Sequence, residues 1–410
     1  MLSSRLFLVV SLFVALLTPS VQFQTAGDSD RVQLKLNTGE AEAVLAILDK
    51  RATEAAVTDA DWQRLFITEP YIRLKKRETA MHRDFSDEDF KKFVLTPELA
   101  AKAPALRQTL DAWSHTDLVA SARRILAYLP EQASIKAKVF PVIKPKTNSF
   151  VFETTTDPAI FLYIDPQKSA AKFENTVAHE LHHIGYSSIE SVAEPKQKDV
   201  VPNVKPAVEW MGAFGEGFAM LAAAGGPDVD PHATSSPKEH ARWDHDLANF
   251  NQDLASLQQF FLDIIDQRLV GKEKIAERAS AFFGDAQGAW YTVGYKMAVI
   301  VEKQFGRRIL IECMLDPREL LSRYNQAAKQ INERGQERLA LWSPELLQKI
   351  GVRLVDTKPY FPAYRPVVRK PCSRTLPLRS HFPIIKSEHW GLHAKEAEAA
   401  GGRKSDRGRV

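Results

Sequence analysis

Two histidines and a glutamate near the middle of the chain have the types and spacing of a hydrolytic metal site. His179, Glu180 and His183 match the pattern H-E-x-x-H. On a helix, residues i and i+4 lie above one another on one face, so both imidazoles can reach one metal ion. Zinc lowers the pKa of its bound water to about 7, and Glu180, about 100° round the helix from His179, can accept the proton as general base. His182 points to a different face, and we do not expect it to bind the metal.

Two histidines leave such a site incomplete, because a catalytic zinc ion usually takes three protein ligands and a water. Glu216, which follows His183 by 33 residues, is the candidate for the third ligand. Gly215 and Gly217 flank it in a predicted helix of small residues that can approach another helix closely. Glu209, seven residues earlier on the same face, is the alternative. The sequence therefore predicts that Glu216 completes a zinc site with the two histidines.

These motifs resemble those of the gluzincin metallopeptidases, the clan of thermolysin and the zinc aminopeptidases. The clan combines H-E-x-x-H with a later glutamate in the setting E-G-x-A, which stands here at residues 216–219. The segment Tyr291-Thr-Val-Gly294 is similar to the Tyr-x-x-Gly segment of zinc aminopeptidases, whose tyrosine stabilises the tetrahedral oxyanion. The resemblance assigns that role to Tyr291, with Tyr295 as the alternative, and a phenol hydroxyl can donate to an oxyanion.

A longer stretch, from about residue 36 to residue 351, is similar to a family of zinc-dependent peptidases known mainly from bacterial sequences. The blocks H-E-x-x-H, E-G-x-A and Y-x-x-G-Y-x-M-A occur here in the order of that family. The G-A-M-E-N segment with which zinc aminopeptidases hold a substrate's amino terminus is absent upstream of His179, so aminopeptidase specificity is not predicted. In thermolysin-like folds an edge strand pairs with the substrate backbone, and Ala159–Ile164 is either that strand or an internal one.

The elements that must position these residues are mainly helical. Asp165 followed by Pro166 indicates the start of the zinc helix, predicted over 166–184, and Ser169 is a second candidate for its start. Alternating or continuous apolar runs predict a small sheet before that helix, with strands over 136–143, 148–154 and 159–164. Apolar spacing predicts further helices over 40–51, 86–95, 106–114, 116–129, 247–265, 290–305 and 317–331. We therefore expect a mainly α (α+β) fold, a zincin-like helical catalytic domain with a small sheet before the H-E-x-x-H helix.

The amino terminus has the pattern of a secretory signal peptide. Arg5 precedes an uncharged run from Leu6 to Leu17, which is too short for a bilayer span of about 20 residues. Small residues follow, with candidate cleavage sites after Ser20 and Ala26. We expect a secreted or periplasmic protein with no stable membrane insertion after signal removal, and an uncleaved anchor is the alternative.

The basic character of the chain is concentrated at its carboxyl end. The formal net charge of the 410 residues is +4, yet residues 352–410 alone carry +8 and the segment 27–351 carries −5. We expect no binding to nucleic acid, because the segment 27–351 has a small net negative charge. The predicted organisation is a signal peptide over 1–26, an N-terminal helical region over 27–135, a catalytic region over 136–351 and a basic, proline-rich and partly disordered tail over 352–410. The pairing of Cys313 with Cys372 and the oligomeric state are left open.

The sequence thus predicts an exported zinc metallopeptidase with a peptide or protein substrate. In this hypothesis His179, His183 and Glu216 bind zinc, Glu180 is the general base, and Tyr291 stabilises the oxyanion. A noncatalytic helical binding protein with a structural or degenerate metal site is one alternative. A zinc hydrolase of a non-peptide amide is another.

Overall fold

The structure, a computed structural model, describes residues 28–189, 199–284 and 287–352. The predicted signal peptide over 1–26 lies outside these ranges, and so does the predicted tail apart from Val352. Cys372 lies outside them as well, so its pairing with Cys313 stays open. None of the helices in the described ranges has both the length and the apolar character needed to cross a bilayer.

The described part of the chain is mainly helical, with one small sheet, and the predicted fold class is confirmed. The elements before the sheet's second strand are α1 (Asp28–Arg31), β1 (Val32–Leu36), α2 (Gly39–Ala52), α3 (Asp59–Phe66), α4 (Glu69–Ala80), α5 (Asp87–Val94), α6 (Pro97–Ser114) and α7 (Leu118–Leu126). The next elements are β2 (Ile135–Val142), β3 (Phe150–Phe152), β4 (Ala159–Tyr163) and α8 (Ala170–Ser187). The later helices are α9 (Lys205–Met211), α10 (Gly215–Ala224), α11 (Pro237–Ala248), α12 (Phe250–Ile265), α13 (Lys272–Ser280), α14 (Ala289–Phe305), α15 (Arg307–Leu315), α16 (Pro317–Glu333) and α17 (Pro344–Lys349).

The sheet has four strands in the order β1-β2-β4-β3. β1 runs parallel to β2, β2 parallel to β4, and β3 antiparallel to β4. The prediction of three strands within 136–165 is therefore incomplete, because β1 comes from the region predicted to be helical. The alternation that indicates β1 covers only five residues. Val32, Leu34 and Leu36 are half-buried, and the two residues between them are exposed.

The interpretation of Ala159–Ile164 as an edge strand is wrong, and the alternative of an internal strand is correct. β4 lies between β2 and β3, and Ala159, Ile160 and Phe161 are fully buried. A continuous apolar run is typical of a strand covered on both faces, which is the position of β4. The edges of this sheet are β1 and β3.

The helix that carries the two histidines begins later than Pro166. α8 starts at Ala170, and the hydroxyl of the N-cap residue Ser169 accepts from the backbone N–H of Lys172 at 3.1 Å. Asp165 instead accepts from the backbone N–H of Gln167 at 3.0 Å, which closes a turn before the helix. The second candidate start, Ser169, is thus confirmed, and the helix extends to Ser187.

Other helix predictions differ mainly at their boundaries. The predicted helix over 247–265 is divided at Asn249 into the end of α11 and all of α12. α6 begins at Pro97 rather than near residue 106, because Thr96 caps it through a bond from the Leu99 N–H at 3.3 Å. α4, α13, α15 and α17 had no counterpart in the prediction.

One hydrophobic core spans the described residues and includes side chains from both sides of the predicted boundary at 135/136. α8 packs against β2, α7 and α10. α10 in turn packs against α14, so three helices meet around the H-E-x-x-H motif.

Candidate metal centre

α8 presents His179, Glu180 and His183 on its accessible side. All three are half-buried, whereas Val177 and Leu181 on the other side of the helix are fully buried in the core. The amphipathic pattern of the helix therefore fixes which side chains face the centre. The i, i+4 spacing places the two histidine rings 4.8 Å apart, centroid to centroid.

A close contact at two glycines brings α10 and α14 together. A Cβ atom added to Gly217 of α10 would lie 2.0 Å from the backbone nitrogen of Tyr295 in α14. A Cβ atom on Gly294 would lie 2.7 Å from the backbone oxygen of Phe214. The two backbones touch at this point because neither glycine has a side chain. The contact holds Glu216, the residue before Gly217, and the amino-terminal part of α14 at fixed positions beside α8.

Glu216 reaches the two histidines. Its Oε2 atom lies 3.0 Å from Nε2 of His179 and 3.3 Å from Nε2 of His183, and the two Nε2 atoms are 3.1 Å apart. Zinc bonds of the usual length in tetrahedral geometry separate their ligand atoms by about 3.3 Å. Two imidazole nitrogens and a carboxylate oxygen are also a known donor set for catalytic zinc. The residues present therefore fit a zinc ion by chemistry and by spacing.

The charges of this cluster suit a metal site. Burial acts to raise the pKa of Glu216, but the neighbouring His183 and the hydrogen bond from His179 hold the pKa well below its usual value. Burial acts to lower the pKa of His183, and the charge of Glu216 overcomes it and raises the pKa to about 8. The glutamate is thus ionised and draws positive charge to the point between the three side chains, where a cation would replace the protons.

Glu209 does not join this cluster. It lies on α9, is half-buried, and its Oε1 atom faces Nζ of Lys205 at 4.0 Å. Burial raises the pKa of its carboxyl group. Among the described residues, the group that could hold a metal ion is His179, His183 and Glu216.

Tyr291 stands at the same centre. Its ring lies 6.1 Å from the ring of His179 and nearly parallel to it, close enough to Glu216 for that carboxylate to act on the phenol. Burial, followed by the charge of Glu216, raises the pKa of the phenol well above its usual value. Tyr295 points elsewhere, because its hydroxyl donates to the carbonyl of Val229 at 3.4 Å.

Glu180 and His182, which also lie within the H-E-x-x-H segment, have different surroundings. Glu180 is half-exposed, and its charge acts on both His183 and Tyr291. His182 is buried, and neither ring nitrogen has a hydrogen-bond partner within the described ranges. Burial lowers the pKa of His182 well below its usual value, which keeps the ring neutral. His182 is not part of the group that could hold a metal ion, although its ring stands 6.1 Å from that of His183.

Gly294 positions the site, a role that was not predicted for it from the sequence. A sequence feature could have indicated this role. Gly294 follows Tyr291 by about one helical turn, and a glycine there can face a second helix of small residues. What the sequence could not show is that Gly217 is the partner.

The family model described as "Putative zinc dependent peptidase (DUF5700)" matches residues 62–333. These residues include α8, α10 and α14, and therefore every side chain of the cluster. No curated protein and no solved structure matches the chain.

Proposed function

We propose that the chain, which belongs to the family described as "Putative zinc dependent peptidase", is a metallopeptidase of the gluzincin type that hydrolyses peptide bonds. The observation that carries the proposal is the spacing of the donor atoms of His179, His183 and Glu216, which are 3.0–3.3 Å apart. Two of these donors come from one turn of α8, and the third comes from α10. These three residues would hold the ion.

When bound, zinc supplies a Lewis acid that makes water acidic near neutral pH and polarises the substrate carbonyl. Glu180 adjoins His179 on the accessible side of α8, and its carboxylate is the base that accepts the proton of the attacking water. The same carboxyl group then delivers the proton to the leaving amine.

Tyr291 supplies the hydrogen-bond donor that stabilises the oxyanion. Its ring stands 6.1 Å from that of His179, and its phenol hydroxyl can donate to the oxygen that becomes negative as the carbonyl is attacked. A donor in a partly water-excluded site stabilises that charge more strongly than the same donor in water.

We further propose that the enzyme acts on peptides outside the cytoplasm after loss of its signal peptide. The support is the sequence of residues 1–26. Amino-terminal sequencing of the exported protein tests this, and a chain that keeps Met1 and stays with membranes would contradict it.

The decisive experiment measures zinc content and hydrolysis of a peptide library together. We expect about one zinc ion per chain in the wild type and in Glu180→Gln, because Glu180 is not a ligand. We expect Glu180→Gln to lose at least about 100-fold in kcat, which is the lower end of the usual effect of losing a general base. Glu174→Gln is the matched control, since Glu174 lies on the same helix but accepts from Ser121 and Arg124.

Three outcomes would contradict the proposal at different points. A zinc-free protein after expression with ample zinc would refute the metal site. A zinc-loaded wild type that cuts no peptide would favour a structural metal site or a non-peptide substrate. Equal activity of Glu180→Gln and Glu174→Gln would remove Glu180 from its role.

A further inference from the structure

An accessible stripe runs along α8 from the metal centre towards the amino end of the helix. Lys172, Thr176, His179 and His183 recur at helical spacing, and all four are half-buried. Lys172 precedes His179 by seven residues, which corresponds to about 10 Å along the helix axis. A lysine therefore lies on the same side of the helix as the proposed zinc ligands, two turns away.

Lys172 is held in place by a chain of hydrogen bonds. Its Nζ donates to the hydroxyl of Ser235 at 2.7 Å, and Ser235 is hydrogen-bonded to Nδ1 of His232 at 2.9 Å. His232 is buried, with its ring stacked on Trp243 at 4.8 Å. Sequence matches to S-x-x-K begin at Ser169 and at Ser235. The structure joins the lysine of the first to the serine of the second.

The direction of these bonds follows from the groups. An ammonium group only donates, so Ser235 accepts from Lys172 and its own hydroxyl proton is available to His232. Burial, and then the charge of Lys172, lowers the pKa of His232 to about 4, so the ring is neutral at pH 7 and can accept. The buried ring therefore fixes Ser235, and Ser235 orients the ammonium group.

Among the described residues, Glu239 is a carboxylate on which the charge of Lys172 acts. Burial acts to raise the pKa of Glu239, but hydrogen bonds from Ser236 and the charge of Lys172 lower it. The Oε2 atom of Glu239 accepts from both the N–H and the hydroxyl of Ser236 at 3.0 Å, so this carboxylate caps α11. Lys172 also lies in the first turn of α8, where the helix dipole adds positive potential.

We propose that Lys172, oriented by Ser235 and His232, binds a carboxylate of the peptide substrate three to four residues from the bond that is cut. The inference rests on the proposed peptidase function. An extended peptide advances about 3.3 Å per residue, so about 10 Å from His179 corresponds to three residues. The lysine side chain leans towards the helix amino terminus, which extends the reach to a fourth. The carboxylate belongs either to an acidic side chain or to the carboxyl terminus of the peptide.

The experiment uses quenched fluorescent peptides built around a cut site found with the library. A single Glu or Gln is placed at each position from two to five residues on either side of the cut bond, in amidated peptides. A second set has no acidic residue and ends in a free carboxylate at the same distances. The measured quantity is the ratio of kcat/KM for the carboxylate peptide to kcat/KM for its neutral counterpart.

We expect the wild-type ratio to reach about fivefold at one position, the size of one partly exposed ion pair. Lys172→Met should bring the ratio at that position close to one, and Lys172→Glu should bring it below one. Glu239→Gln should raise the ratio, because it removes a competing carboxylate while a glutamine can still cap the helix. Lys238→Met, which removes an exposed lysine near Ser235, is the control and should leave the ratio unchanged.

The outcomes separate the two proposals. If zinc-loaded wild type cuts no peptide, the proposed function fails. If it cuts peptides but shows a ratio near one at every position, or if Lys172→Met keeps the wild-type ratio, only the role of Lys172 is overturned. Ser235→Ala provides a second variant in case Lys172→Met does not fold, and an unchanged ratio there would also contradict the inference.

Discussion

Glu216 is the one proposed ligand that does not come from α8. Its Oε2 atom lies within 3.3 Å of both histidine nitrogens, whereas Glu209 pairs with Lys205 on another helix. We predict that Glu216→Ala weakens zinc binding by more than about 100-fold, beyond the usual effect of losing an outer-shell partner. Competition with a chromophoric chelator measures the affinity. Glu209→Ala is the control, and a larger loss there than in Glu216→Ala would move the third ligand to α9.

Tyr291 and Tyr295 are one turn apart on α14 and have different environments. The ring of Tyr291 lies beside that of His179, where the charge of Glu216 acts on the phenol, whereas the hydroxyl of Tyr295 donates to Val229 in the loop after α10. We predict that Tyr291→Phe lowers kcat by about 100-fold at unchanged zinc content, as for loss of one oxyanion donor. Tyr295→Phe should cost stability of about 1 kcal/mol and leave kcat within a factor of three. Steady-state kinetics on one peptide distinguishes them, and similar kcat values for both variants would exclude Tyr291 from the reaction.

The contact between α10 and α14 decides where Glu216 and Tyr291 lie. A methyl group on Gly217 would stand 2.0 Å from a backbone nitrogen of α14, so Gly217→Ala must push the helices apart. We predict a loss of at least about 2 kcal/mol in the free energy of unfolding, the effect of overpacking, and weaker zinc binding because Glu216 moves with α10.

Gly215→Ala is the matched control for this element. Among the described residues, no heavy atom other than those of its own helix backbone and its chain neighbours lies within 4 Å of the Cβ it would add, and alanine favours helix. Its free energy of unfolding should equal or exceed that of the wild type in urea titrations. Equal stabilities of the two alanine variants would show that the close approach of the helices is not required.

The amino-terminal helices and the sheet are joined by a buried carboxylate. Glu40 of α2 is fully buried, and its Oε2 atom accepts from the N–H of Ile143 at 2.9 Å, just after β2. Burial raises the pKa of Glu40 to about 8. The neighbouring Lys144 is buried too, and burial lowers its pKa to about 7. The described part of the chain therefore contains an ionisable link between α2 and the sheet.

This link gives the stability of the molecule a pH dependence. Between the ordinary pKa of 4.5 and about 8, folded Glu40 retains a proton that the unfolded chain has lost, so folding becomes less favourable as pH rises. Lys144 acts with the opposite sign, but only above about pH 7. From pH 5 to 6.5 we predict that the wild type loses up to about 2 kcal/mol of unfolding free energy relative to Glu40→Gln.

Urea titrations at the two pH values measure this difference. Glu42→Gln, an exposed change on the same helix, should follow the wild type. A constant difference between the wild type and Glu40→Gln across the range would show that Glu40 ionises at an ordinary pKa.

How far prediction from sequence succeeded depends on the range of the interactions. The sequence offered Ser169 as one of two candidate starts of α8, and Ser169 is the N-cap residue. Such a cap can be predicted because it joins residues only three positions apart. β1 was missed, because a five-residue alternation becomes a strand only when β2, about 100 residues later, pairs with it. The edge or internal position of β4 was undecidable for the same reason.

By itself, the sequence determined that His179 and His183 share one side of a helix with Glu180 beside them, since helix geometry is local. It also determined a mainly helical fold, because apolar spacing and caps act within a few residues. Only the tertiary structure brought Glu216 rather than Glu209 to the histidines and Tyr291 rather than Tyr295 to Glu216. It also placed Lys172 against Ser235. These choices depend on helices that meet at Gly217 and Gly294, and contacts between distant segments follow from packing of the whole chain.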